Sequence, residues 1–165
     1  MKAQILLSLT FIIILSIGNG CEKDCPITTS DEGIDDIGRI EIGCLDFATK
    51  DIPEEFVIND NAAYQQILAD YKNNIDSNQC ATYTLPFINF SEKTLLGKLT
   101  ETGGCESPDY YYKIIKDVSK KEYQFIISIK LKGNCFLRFS KYNWVTLPKV
   151  SNSYKVVFVI NECAR

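Results

Sequence analysis

The chain has 165 residues, with 18 basic and 21 acidic side chains, seven cysteines and no histidine. A formal net charge of −3 does not provide the basic surface that neutralises nucleic-acid phosphates. The lack of histidine removes Ser-His and Cys-His nucleophile pairs and the commonest metal ligand.

Residues 1–20 read as an export signal. Lys2 precedes an apolar run over 5–17, interrupted by Ser8, Thr10 and Ser16, and Gly18-Asn19-Gly20 supplies small residues before Cys21. The run falls short of the roughly 20 apolar residues of a membrane span. Two cleavage readings compete. Ordinary signal peptidase could cut after Gly20, giving a soluble secreted protein. Alternatively, Cys21 receives lipid first and becomes a palmitate-bearing lipoprotein N-terminus. Gly20 and Asn19 fit a loose lipobox of the kind seen in Bacteroidota lipoproteins, whereas Gly18 stands where Leu is usual. Parity favours lipid. With Cys21 spent, Cys25, Cys44, Cys80, Cys105, Cys135 and Cys163 form an even set, and export provides the oxidising compartment in which bridges persist. The expected location is a bacterial envelope membrane, at the outer membrane or cell surface, with the lipid as anchor. Removing Lys2 with the signal leaves 17 basic against 21 acidic residues, which offers no electrostatic pull towards anionic lipid.

Residues 21–38 form the lipidated cysteine and an acidic, turn-rich tether. Asp31, Glu32, Asp35 and Asp36 lack the alternating ligands of a calcium loop and read as a solvated spacer. A single β-rich domain is expected over 39–165. Arg39–Leu45 alternates as a half-buried strand, and Glu55–Ile58 is a second. Asn59 or Asp60 can cap a helix near 60–73, where Ala63, Tyr64, Ile67, Leu68 and Tyr71 share one face and Asn73-Asn74 ends it. Strands follow at 82–85, 87–90, 94–100, 110–118, 122–131, 135–139, 144–148 and 154–161, all rich in β-branched and aromatic residues. The fold class is therefore α+β, mostly antiparallel, a sheet or sandwich of about seven or eight short strands stapled by disulfides.

A three-residue turn at Ser119-Lys120-Lys121 would join Tyr110–Val118 to Glu122–Leu131. Extending that register places Cys105 opposite Cys135, within reach of a disulfide. Four cysteines then remain with three possible pairings, of which Cys25–Cys44 and Cys80–Cys163 are preferred.

The segment Pro86-Phe87-Ile88-Asn89-Phe90-Ser91-Glu92-Lys93-Thr94-Leu95-Leu96-Gly97, followed by Thr102-Gly103-Gly104, resembles the PrcB-like family of protease-complex accessory domains. In that family a Pro-x-Val-Asp-Phe segment leads into an apolar strand, a glycine and a Thr-Gly-Gly-Tyr turn. Here Asn89 replaces the Asp and Cys105 the Tyr. The segment is also similar to small uncharacterised Bacteroidota lipoproteins. The resemblance covers 86–105 in motif and about 55–161 in layout. It implies a small α+β domain with a non-catalytic, protein-binding role.

The residues point to no cofactor and no metal. There is no Cys-x-x-Cys, Gly103-Gly104 is a turn rather than a phosphate loop, and Ser91 with Lys93 fits a turn. The expected function is therefore a non-catalytic lipoprotein module that binds an envelope protein. The alternative is a small-ligand or carbohydrate binder with a concave aromatic site at Tyr142 and Trp144, with Tyr111 facing solvent. A hydrolase using two carboxylates is a third reading, because chance alone supplies acidic pairs.

Overall fold

Two long strands carry most of the structure. The computed structural model describes residues 36–43, 52–74 and 84–163. Within them β1 spans Gly38–Ile40, β2 Glu55–Ile58, α1 Asn61–Asn74, β3 Lys93–Asp117, β4 Glu122–Pro148 and β5 Lys155–Cys163. The fold class is as expected from the sequence: a mostly antiparallel β protein with one helix and a disulfide. The strand count differs. In place of short strands at 94–100 and 110–118, one strand runs through, and β4 likewise absorbs three expected strands. Among the described residues, 84–90 belong to no strand. The sheet order is β1-β4-β3-β2, and β5 lies beside β4.

The β3–β4 hairpin folds back on itself. β5 runs parallel to the start of β4, with Lys155 opposite Glu122 and Cys163 opposite Lys130. A straight β4 would separate its two ends by about 85 Å at ~3.3 Å per residue. The link 149–154 spans at most about 25 Å, so both ends of β4 must lie close together. The core agrees. Leu96, Val145 and Leu147 from the open end of the hairpin share one cluster with Ile114, Phe125, Ile127 and Ile129 from the end near the turn. Tyr112 also donates its hydroxyl proton to Asn143 Oδ1 at 2.8 Å, across the two halves. One hairpin thus supplies both layers of a sandwich.

Alternation on the open-end half serves two cores. Leu96 and Val145 face the inner cluster, while Leu95 and Trp144 face a second cluster beneath α1. Asp60 caps α1, its carboxylate accepting from the Ala63 N–H at 2.8 Å. Tyr64 and Ile67 are buried, and Tyr64 meets Phe90 edge-on at 5.5 Å. Ala63 is exposed, which narrows the expected apolar face.

The resembling segment is scaffold in this chain. Asn89 Oδ1 accepts from the Ser91 N–H and hydroxyl, closing the turn into β3. Buried Thr94 donates to Asn59 Oδ1 and accepts from the Val150 N–H. Gly97 lies under the Trp144 ring, where an added Cβ would stand 2.2 Å from Trp144 Cζ3.

The hairpin turn corrects the expected register. It has four residues, Val118–Lys121, and pairs Asp117 with Glu122. Asp117 Oδ1 accepts from the Ser119 hydroxyl at 2.6 Å and the Lys120 N–H at 3.0 Å, so the loop begins one residue earlier than expected. Lys121 closes it with a φ of 51°. This register, continued straight, would put Cys105 opposite Asn134. Two irregularities, between Gly104 and Glu106 and between Glu106 and Asp109, reset the ladder. Cys105 and Cys135 then bond, with Cα atoms 4.6 Å apart.

Candidate functional site

The bend that folds the hairpin also leaves part of β4 uncovered. One side of β4 is paired with β3. On its other side β5 reaches as far as Lys130, and β1 begins opposite Trp144. Between them, residues 131–143 have no strand partner on that side among the described residues. Gly133 sits here with φ of 74°, a conformation that favours glycine, and an added Cβ would strike Cys105 Sγ. The disulfide and this glycine hold the β4 edge in its irregular course.

Apolar side chains stand on that edge. Phe136 is 103% exposed and Leu137 is 56% exposed. They line a groove of about 480 Å³ together with Glu101, Thr102, Gly103, Arg138, Phe139 and Glu162. The Thr102 hydroxyl is buried without a hydrogen-bond partner in the structure. The sequence holds a signal for this surface. Phe136-Leu137-Arg138-Phe139 puts apolar side chains on both faces of a strand, and a ribbon with no layer above it cannot bury both.

The structure places the three sequence-expected aromatic residues apart. Tyr142 is 1% exposed and Trp144 is 2% exposed, and both belong to the core under α1. Phe56 lies 5.3 Å from Trp144 and 5.9 Å from Tyr142, so the three rings form one packed group over Gly97. Gly97 decides this outcome, because its missing side chain gives the indole a place on the sheet. Tyr111 is half-buried opposite Ser128 on the half of the hairpin near the turn, outside this aromatic group. The structure does not bring Tyr111, Tyr142 and Trp144 into one surface.

Cys21, Cys25, Cys44 and Cys80 lie outside the described residues. Cys163 is buried and disulfide-bonded to a residue outside them. Lys93 forms an ion pair with Asp36, and Ser91 bonds to Asn89 instead. Among the described residues no three His, Cys, Asp or Glu side chains gather as a metal site, and no helix is long and apolar enough to cross a membrane.

The shifted ionisable groups stabilise the hairpin and stand outside the groove lining. The Ser119 hydroxyl and Lys120 N–H hold the Asp117 carboxyl down at about 2. Lys155 and Gln124 donate to Glu122 and lower it below the usual carboxylate range. The hydrogen bond to Asp109 raises Lys132. Both carboxyl shifts favour the charged form, opposite to the raised value a general acid needs. Compared with known protein families, curated proteins and solved structures, the chain matches none.

Proposed function

We propose that this chain is a non-catalytic envelope lipoprotein module that binds another protein along the open edge of β4. The carrying observation is the full exposure of Phe136, beside half-exposed Leu137, on a stretch of strand with no neighbour among the described residues. An unpaired row of backbone N–H and C=O groups gives a partner strand its hydrogen bonds, and adjoining apolar side chains provide the pockets. Natural edges of this kind are usually shielded by charge, proline or a covering loop; this one carries Lys132, Arg138 and Lys141, yet Phe136 and Leu137 stand exposed among them. A sugar-stacking site at Tyr142 and Trp144 is less favoured, because both rings are buried and the cavity they border holds only about 60 Å³.

A photo-crosslinking amino acid at position 136, expressed in cells, tests the binding surface. It should join the chain to one discrete partner band, while the same group at exposed Val118 on the hairpin tip should not. Equal labelling from both positions, or none from 136, contradicts the reading. The anchor belongs to the same proposal and rests on Gly18–Cys21 and cysteine parity. A fatty-acid analogue should label the wild type and fail to label Cys21→Ser; a labelled variant would refute lipidation at Cys21.

A further inference from the structure

The Cys105–Cys135 bridge holds a stretch of β4 that the backbone ladder does not. β3 and β4 pair at Gly104 with Leu137 and next at Glu106 with Lys132, so residues 133–136 of β4 have no paired residue on β3. β5 reaches only to Lys130 and β1 begins opposite Trp144, so the same four residues have no strand neighbour on their other side among the described residues. All four are exposed. The bridge from Cys135 to Cys105 ties this stretch to β3, and the Lys132–Asp109 ion pair stands just before it. The two sulfurs are unequally open. Cys135 is exposed and lines the groove, whereas Cys105 is half-buried. Gly133 packs against Cys105, since a Cβ added there would stand 2.5 Å from its Sγ. The bridge made by Cys163 differs, because Cys163 is 6% exposed at the end of β5. Thiol–disulfide exchange requires a thiolate to reach one sulfur of the bond, so access decides which bridge reacts and at which end.

Building on the docking reading, we infer that the Cys105–Cys135 bridge is a redox latch on the open edge, released by a dithiol that attacks Cys135. A thiolate of the dithiol bonds to Cys135 Sγ, the S–S bond breaks, and Cys105 leaves as a thiolate that takes up a proton. The second sulfur of the dithiol, as thiolate, then bonds to the first and releases Cys135, which takes up a proton in turn. The bridge gains two electrons and two protons, and the dithiol is oxidised to a disulfide. Residues 133–136 then lose their tie to β3, and Phe136 loses its fixed place beside the groove. The edge therefore receives a partner strand only while the bridge is closed. Neither cysteine belongs to either hydrophobic cluster, so both cores remain packed when the latch opens.

The test treats the purified full chain with dithiothreitol, traps the freed thiols with iodoacetamide at successive times and maps them by mass spectrometry. Cys105 and Cys135 should be labelled at least about tenfold faster than Cys163. Glutathione, a monothiol, should leave its adduct on Cys135 and free Cys105 for alkylation. Trp144 is the single tryptophan and lies in the core under α1, so its emission should not change while the bend bridge opens. The photo-crosslink from position 136 should form in the oxidised chain and fall several-fold after this selective reduction. Equal labelling of the two bridges, an adduct on Cys105, or a shift of Trp144 to the emission of the unfolded chain overturns the latch, the last because the bridge would then be a staple of the whole fold. A crosslink that survives reduction overturns the latch and leaves the docking reading standing. Absence of the crosslink from the oxidised chain removes the docking reading, and the latch with it.

Discussion

Gly97 and Trp144 show how one residue decides the fate of another. An indole at a strand end reads as a recognition group until the opposite position is a glycine, which lets the ring lie flat on the sheet. The same scale governs the turn. Asp117 is held at about 2, below its unfolded value of roughly 3.9, because its ionised form accepts from Ser119 and Lys120. A lowered folded-state value gives stability that is fully present above pH ~4 and is lost as pH falls through ~2. Urea unfolding of wild type and Asp117→Asn should therefore show a stability gap that is constant above pH ~4 and narrows between ~4 and ~2. A gap independent of pH over that range would contradict the role given to this carboxylate.

At the scale of elements, the fold-back of β3 and β4 is the defining feature, and the Cys105–Cys135 bridge sits at its bend. The bridge spans 30 residues of sequence. Closing a loop of that length stabilises by about 3–4 kcal/mol on a chain-entropy account. The double variant Cys105→Ser, Cys135→Ser should lose a comparable amount in urea unfolding, and a loss below about 1 kcal/mol would contradict the pinning role. Much at this scale is legible from sequence. Tyr123-Phe125-Ile127-Ile129 alternates and does face the core, and β2 occupies the expected residues. Helix α1 starts after Asp60, one of two expected caps. The bend is not legible. It arises from extra residues around Gly104 and Gly133 that shift the ladder, and a bulge leaves no periodic trace. The cysteine pair was reachable from an incorrect register because the turn offset and the bulges nearly cancel at that point.

At the scale of the whole molecule, the scaffold and the working surface separate. The β4 stretch near the turn is covered by β5, the far stretch is met by β1, and the middle is left, among the described residues, as an edge carrying the exposed Phe136 and Leu137. Alternation predicts that a strand has a buried face but not whether a neighbour will lie beside it, since lateral pairing is set by topology. The long hairpin creates the gap, and the direction of β5 and the short reach of β1 define its ends. The cations of β4 are visible in the sequence, yet topology decides which of them, Lys132, Arg138 and Lys141, lie on the uncovered stretch.

Amide hydrogen exchange along β4 tests the open edge most directly. On the purified chain, alternate amides over 131–143 should exchange rapidly while those of 122–130, held between β3 and β5, exchange slowly. Uniformly slow exchange across the whole of β4 in the free chain would show that the edge is already covered and would contradict the account.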